Sequence, residues 1–239
     1  MNPIWKLSIL VIVSCILLVY VKYSNRMTFP PTLFINLAKR KDRLKEIQEE
    51  FAGWTVPLER VEAVERKPGI LGCNLSHYKC IQLAVERNYD WVLILEDDAT
   101  LQPGGKEHFT KLLPYLWKTR NDGIWDMFIG GSTYIENERV LNKELKLFQM
   151  SGLTTHFVLI HKEACKKILR SLASLPIDKE GFFIDKYYKY NTKQITSIPF
   201  LSLQRPGVTD IQDSESDYTA YFKRAEKKLE RLLHLLLSS

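Results

Sequence analysis

One short stretch of the sequence constrains the fold more than any other. Residues 91–95 read WVLIL, a continuous apolar run, and three acids follow it directly: Glu96, Asp97 and Asp98. Such a run is typical of a strand that is buried on both faces. In an open α/β sheet, ligands bind outside the carboxyl ends of the strands. The sequence therefore predicts an α/β domain with a polar site where this strand ends.

Strand-like and helix-like patterns alternate along the rest of the chain. Short β-rich or apolar runs predict strands at residues 32–37, 54–64, 91–95, 125–129 and 157–160, with a late extended segment at 195–203. Apolar residues at helical spacing predict helices at residues 38–51, 72–88, 106–117 and 162–172. This alternation favours a largely parallel sheet that helices cover on both faces.

Size and composition limit the kinds of protein that fit. The chain has 239 residues, of which 45% are hydrophobic and 26% charged. These values suit one globular domain with a short appendage, and they exclude a disordered, collagenous or polytopic membrane protein. The net charge of +6 is evenly spread, so we expect no nucleic-acid partner. Cys73, Cys80 and Cys165 lack zinc-ligand spacing and are interpreted as small core residues.

The two ends of the chain carry apolar helical patterns of different kinds. Residues 7–21 form an uncharged run between Lys6 and Lys22 without a small-residue cleavage site, so we expect residues 1–26 to be an uncleaved single-pass membrane anchor rather than a signal peptide. Lys6 and the amino terminus precede the run and Lys22 and Arg26 follow it, so the charges leave its orientation open. Residues 27–31 would be a stem, and residues 217–239 an amphipathic helix that either packs on the domain or contacts a membrane or second copy.

The three acids suit a divalent cation. If the chain stays extended, Glu96 and Asp98 point the same way and offer two hard oxygen ligands to Mg²⁺ or Mn²⁺, with positions left for a diphosphate. Asn36, Arg40 and Arg43 follow the first strand, where they would contact a nucleotide. The alternatives are an exposed acidic turn and a solvated basic helix face.

Three motifs occur together in a fixed order. They are NLxxRxxR at residues 36–43, GCxxSH at residues 72–77 and LEDD at residues 95–98. The set resembles glycosyltransferase family 25, and the resemblance covers residues 32–213. It implies that residues 32–216 form a GT-A domain, an open mixed sheet flanked by helices. It also implies a UDP-sugar donor, most often UDP-galactose or UDP-glucose, transfer with inversion and a Mn²⁺ or Mg²⁺ cofactor.

The resemblance also implies roles for individual residues. Contacts with the nucleotide-sugar would come from seven side chains: Asn36, Arg40, Arg43, His77, Glu96, Asp97 and Gln204. Metal ligands would come from two places in the chain: Glu96 and Asp98 in the first, Asp210 and Asp213 in the second. Thr209 stands where the family often has Ser. A lone histidine such as His77 is more often a hydrogen-bonded packing residue, and this alternative stays open.

Inversion by single displacement needs a carboxylate that accepts the proton of the acceptor hydroxyl. Asp185 is the first candidate for this base and Asp178 the second. Both follow the proline-containing residues 175–177, where the regular structure is interrupted and a loop could present them to the acceptor. Either residue would serve equally well as a helix cap. The acceptor would be a glycan, a lipid-linked glycan or a glycoprotein.

Other functions compete with this one. A different metal-dependent hydrolase acting on phosphate esters would also gather acids at a strand end, although Glu96 stands where an aspartyl-phosphate phosphatase needs its nucleophile. A membrane-tethered module that binds sugar nucleotides without turnover is a second alternative. A Rossmann oxidoreductase is disfavoured because no GxGxxG follows the first strand. With an anchor, a eukaryotic protein of this kind would be a type II protein of the ER or Golgi.

Overall fold

The computed structural model describes residues 27–211 and 214–238, within which the chain forms twelve strands and six helices. The strands are β1 (Thr32–Asn36), β2 (Leu58–Glu62), β3 (Trp91–Glu96), β4 (Ala99–Leu101), β5 (Met127–Ile129), β6 (Tyr134–Asn142), β7 (Leu147–Leu153), β8 (Phe157–His161), β9 (Gln194–Ser197), β10 (Ser202–Gln204), β11 (Gly207–Thr209) and β12 (Ser214–Ser216). The helices are α1 (Lys41–Glu50), α2 (Gly69–Glu86), α3 (Gly105–Thr119), α4 (Lys162–Leu172), α5 (Ile184–Asn191) and α6 (Thr219–Leu237).

Eight strands form one mixed sheet in the order β2-β1-β3-β8-β5-β9-β7-β6. β1 is parallel to β2 and β3, and β5 is parallel to β9. The remaining neighbours in the sheet are antiparallel. The expectation of a largely parallel sheet was therefore wrong. Parallel neighbours need a long crossover, usually a helix, whereas the chain between β5 and β8 forms the β6–β7 hairpin.

Helices cover both faces of the sheet, as the alternating pattern predicted. α1 and α3 pack on one face, where Ile47 and Phe109 are fully buried. The other face carries α2, α4, α5 and α6, whose buried side chains include Ile81, Ile168 and Leu229. Apolar side chains from both layers close on the central strand β3, whose residues 91–95 are buried throughout. This explains why WVLIL is apolar at every position.

Residues 28–29 and α6 both pack on this domain. Phe29, in the predicted stem, lies edge-on to Trp54 with ring centroids 5.3 Å apart, and the Trp91 indole donates to the carbonyl of Thr28. α6 buries Phe222 and Leu229 against the sheet, so the packed alternative for this amphipathic helix is confirmed. No helix in residues 27–211 or 214–238 has the length and apolarity that a membrane crossing requires. The predicted anchor, residues 1–26, lies outside the described residues.

Candidate active site

A cavity of about 590 Å³ opens where β1 and β3 end. The β1 end contributes Asn36, the β3 end contributes the acids that follow WVLIL, and the first half of α2 forms another wall. The residues of the predicted site that line the cavity are Asn36, Arg43, His77, Glu96, Asp97, Asp98, Asp185, Gln204 and Asp210. Side chains that are far apart in the sequence thus meet at the edge where an α/β sheet binds ligands.

Asp97 is held by the last residue of β1 and by a residue of α1. Its Oδ2 accepts a hydrogen bond of 2.7 Å from the Asn36 amide, and its Oδ1 accepts one of 2.9 Å from Arg43 Nη1. The Asn36 Oδ1 in turn accepts from Arg60 Nε at 2.9 Å. Burial raises the pKa of Asp97, and Arg43 and Asn36 offset that effect only in part. Both oxygens of Asp97 are therefore engaged within the protein.

Glu96 is held by different partners on the other side of β3. Its Oε1 lies 3.0 Å from His77 Nε2 and accepts a short hydrogen bond from the Thr155 hydroxyl. Burial acts to raise the pKa of Glu96, but the hydrogen bond and charge of His77 and the Thr155 hydroxyl outweigh it, so the net shift is downward. His77 itself is fully buried. Its observed contact is with Glu96, and a direct contact with a nucleotide stays a prediction.

Asp98 differs from the two acids before it. Its Oδ2 lies 3.5 Å from Arg43 Nη1, while its buried Oδ1 has no hydrogen-bond partner in the part of the chain that the structure describes. Burial and then the negative charge of Glu96 raise the pKa of Asp98 to about 8. An unpaired buried carboxylate is costly unless a cation neutralises it. Of the three acids, Asp98 is thus the one whose carboxylate most needs a cation beside it.

The chain does not stay extended through the acids. β3 ends at Glu96, and Asp97 and Asp98 form a turn before β4. The expectation that an extended chain points Glu96 and Asp98 the same way was therefore wrong. The turn nevertheless brings both side chains to the cavity wall. Hard carboxylate oxygens with one unsatisfied atom at Asp98 fit a divalent cation of the Mg²⁺ or Mn²⁺ kind.

Residues 208–210, near the end of the domain, lie against the residues that follow β1. The backbone carbonyl of Val208 accepts 2.7 Å and 3.4 Å hydrogen bonds from Arg43 and Arg40. Arg40 Nη1 also donates to Asp210, and Lys39 Nζ lies 3.6 Å from the same carboxylate. Gly69 also lies against this segment. Only glycine fits there, because a Cβ would lie 2.1 Å from the Asp210 carbonyl oxygen. Asp213, the other late acid of the predicted metal site, lies outside the described residues.

The two candidate bases occupy different surroundings. Asp185 follows the first residue of α5 and faces the cavity, where burial and, less strongly, the charge of Glu96 raise its pKa. Asp178 lies in the loop before α5 with 59% of its side chain exposed and is not part of the cavity wall. The structure therefore brings Asp185, but not Asp178, to the other acids.

Sequence reasoning missed several residues of this site. Cys73, interpreted as a core residue, instead lies on the cavity wall, where one ligand atom each of Cys73, His77 and Glu96 fall within 4.8 Å of one another. Cys80 and Cys165 are buried, as expected. Thr155 and Arg60 carried no sequence signal. Thr155 reaches Glu96 because β8 pairs antiparallel with β3, and Arg60 reaches Asn36 because β2 pairs with β1.

The chain matches a protein-family model. The model of glycosyltransferase family 25, described as an LPS biosynthesis protein family, matches residues 67–187, about half of the chain. The matched residues include GCxxSH, the three acids that follow WVLIL and Asp185, so they cover most of the cavity wall described above.

Curated relatives include procollagen galactosyltransferase 2 of Homo sapiens and of Mus musculus. Each is 25% identical over 151 residues, which covers 52% of this chain and 23% of the relative. The chain therefore spans about a quarter of the length of these curated relatives.

Solved structures give more distant likenesses. A glycosyltransferase involved in glycosylation of the major capsid of PBCV-1 is 15% identical with a TM-score of 0.45, over 82% of this chain and 98% of the other. Mannose-1-phosphate geranyltransferase from Thermus thermophilus is 10% identical with a TM-score of 0.44, over 72% of this chain and 74% of the other.

Proposed function

Because the chain belongs to glycosyltransferase family 25, we propose that it is a metal-dependent inverting hexosyltransferase with a GT-A domain at residues 32–216. It moves galactose or glucose from a UDP-sugar to a hydroxyl of a glycan, lipid-linked glycan or glycoprotein. The curated relatives are named galactosyltransferases, which favours galactose as the sugar. Residues 1–26 anchor the domain to a membrane in this proposal.

One observation carries the proposal: a single cavity collects Glu96, Asp98 and Asp185, together with Arg43. Transfer from a nucleoside diphosphate requires three kinds of group. Here they are an acid that needs a cation (Asp98), a guanidinium group (Arg43) and a separate acid with a raised pKa (Asp185).

The donor half of the site lies around the β1 and β3 ends. Arg43 is held between Asp97 and the Val208 carbonyl, so its guanidinium is fixed beside the acids. Asp98, with Glu96, would hold Mn²⁺ or Mg²⁺, which supplies positive charge for the diphosphate as it leaves. Asn36 and His77 keep Asp97 and Glu96 in place.

The acceptor half lies at the start of α5. Asp185 accepts the proton of the acceptor hydroxyl while the oxygen of that hydroxyl bonds to the anomeric carbon and the bond from this carbon to the diphosphate breaks. The raised pKa of Asp185 makes it a better proton acceptor than an exposed aspartate, provided that it is ionised. The anomeric configuration inverts because attack and departure occur on opposite faces.

A turnover assay tests this function. Residues 27–239 are expressed, and UDP release is measured from a panel of UDP-sugars with Mn²⁺ and with chelator, for the parent and for Asp98→Ala. We expect metal-dependent release from one donor, and its loss in the variant. Absence of both UDP binding and UDP release across the panel would refute the proposed function. Binding without release would favour the inactive binding module.

A further inference from the structure

One buried amide in α2 holds the segment that carries Asp185. The Asn74 side chain is fully buried and belongs to the GCxxSH motif. Its Nδ2 donates hydrogen bonds of 3.2 Å to the Ile177 carbonyl and 3.0 Å to the Phe182 carbonyl. Its Oδ1 accepts one of 3.0 Å from the backbone N–H of Ile184. Asn74 thus binds the loop before α5 at both ends.

The third of these bonds caps a helix from outside. Ile184 is the first residue of α5, and Phe183, which precedes it, provides no side-chain cap. Helix-starting N–H groups have no partner within their own helix, so an outside acceptor fixes where the helix begins. Asp185 is the next residue. A shift of the Asn74 amide would therefore shift the first turn of α5 and Asp185 with it.

The same turn of α2 also holds the other acid of the site. His77 lies three residues after Asn74, and residues at this spacing share one face of a helix. His77 binds Glu96, while Asn74 binds the segment of Asp185. α2 is itself fixed near this point, because the Ser76 hydroxyl donates to the Gly72 carbonyl and accepts from the Val64 N–H.

We propose that Asn74 is a positioning residue that sets the place of Asp185 relative to Glu96. This inference rests on the proposed function, in which Asp185 accepts the proton. An amide is needed here because it alone offers two donors and an acceptor on one short side chain. Aspartate would turn a carboxylate toward two carbonyl oxygens, and alanine would leave three backbone groups unpaired.

Hydrogen exchange of the unmodified protein tests the contact without any assay of activity. We expect the amide of Ile184 to exchange as slowly as the amides in the middle of α2, because Asn74 and α2 must open before it is released. Exchange of Ile184 at the rate of the exposed loop around Asp178 would overturn the proposal.

Kinetics of variants test the consequence for catalysis. Asn74→Ala and Asn74→Asp are compared with the parent and with Gln82→Ala, a matched change on the exposed face of α2. We expect kcat for transfer to fall by about 10–100-fold in both Asn74 variants, because misplacing a catalytic group by about 1 Å costs rates of this order. The Kd for UDP with Mn²⁺ should stay within about twofold of the parent, since the donor half is untouched.

The outcomes separate this inference from the proposed function. A parent without transfer refutes the proposed function, and the exchange of Ile184 then still decides whether Asn74 holds the segment. An active parent with Asn74 variants within twofold in kcat overturns the inference alone. An equal loss of UDP affinity and kcat also overturns it, because general destabilisation would explain both. If the Asn74 variants do not fold, the exchange measurement decides.

Discussion

Arg40 and Asp210 form an ion pair at the edge of the cavity, with Arg40 Nη1 donating to Asp210 Oδ2. The resemblance to glycosyltransferase family 25 assigns these residues to different ligands, the first to the nucleotide and the second to the metal. In the free protein each therefore neutralises the other. Binding of a nucleoside diphosphate has to exchange this pair for contacts with its own phosphates.

Asp210→Asn should change UDP binding in opposite directions with and without metal. In chelator, the variant removes one of the two carboxylates that bind Arg40, and the affinity for UDP should rise by about 2–5-fold, the worth of a partly exposed ion pair. With Mn²⁺ the affinity should fall below that of the parent, because the proposed metal ligand is lost. Isothermal titration calorimetry measures both constants.

Asp42→Asn is the matched control, since Asp42 binds the same guanidinium but lies outside the main cavity. We expect this variant to show the gain in affinity with and without Mn²⁺. A loss with Mn²⁺ in the control as well would contradict a metal role for Asp210.

Asp98→Asn should stabilise the metal-free protein. The pKa of Asp98 is about 8 in the folded chain, against 3.8 as the ordinary value, so folding takes up a proton between these pH values. Stability is thus lost as pH rises from about 4 to 8, and asparagine escapes this loss. We expect a gain of roughly 1–3 kcal/mol at pH 8, about 2–10 °C in Tm, which disappears near pH 4.

Mn²⁺ gives the complementary test on the same two proteins. The metal should raise the Tm of the parent, because binding to the folded state alone stabilises it, and should raise that of Asp98→Asn far less. Its apparent affinity for the parent should weaken by up to about tenfold per pH unit below pH 8, since a proton competes for Asp98. Asp122→Asn, an exposed change elsewhere, should behave as the parent. Equal metal effects in parent and Asp98→Asn would exclude Asp98 as a ligand.

His77→Phe should destabilise the protein at neutral pH. The variant leaves Glu96 with the Thr155 hydroxyl alone, so burial then raises its pKa. In the parent the lowered pKa contributes stability that is present above about pH 4.5 and is lost as pH falls below it. We expect a loss of about 1–3 kcal/mol at pH 7, shrinking toward pH 4, by urea unfolding. His77→Gln keeps a donor and should lose less; an equal loss would show that packing, not the hydrogen bond, matters.

Asp185→Asn and Asp178→Asn distinguish the two candidate bases. Transfer by Asp185→Asn should fall by about 10²–10⁴-fold with UDP binding unchanged, because only the proton acceptor is lost. Asp178→Asn should stay within about twofold, since that side chain is exposed outside the cavity. In the parent, kcat should fall as pH drops, with a midpoint above the ordinary 3.8 of aspartate, since burial raises the pKa of Asp185. Reversal of the two variants would move the base to Asp178.

Local patterns were enough to find most of the elements near the site. WVLIL became β3, and the helix predicted at residues 162–172 coincides with α4. In both segments, the pattern of apolar residues along the segment itself indicates which side chains are buried. The β6–β7 hairpin carried no comparable signal, and its register shifts between Glu136 and Arg139. Without that hairpin the direction of β8 could not be predicted.

The contacts of the site depend on pairing between distant strands. Asn36 and Asp97 are 61 residues apart, and Glu96 meets Thr155 across 59. No spacing rule relates such positions, so the motifs could predict residues that line the cavity but not which of them bind each other. Asn74 shows the same limit, because its partners lie more than 100 residues later.

The contact between Gly69 and Asp210 lies in the cavity wall. Backbone touches backbone there, with less room than one methyl group needs, since a Cβ on Gly69 would lie 2.1 Å from the Asp210 carbonyl oxygen. Alanine at residue 69 would therefore act as a wedge and push the late segment outward. The missing side chain at residue 69 thus lets two distant segments meet in the cavity wall, and a single methyl group would force one of them to move.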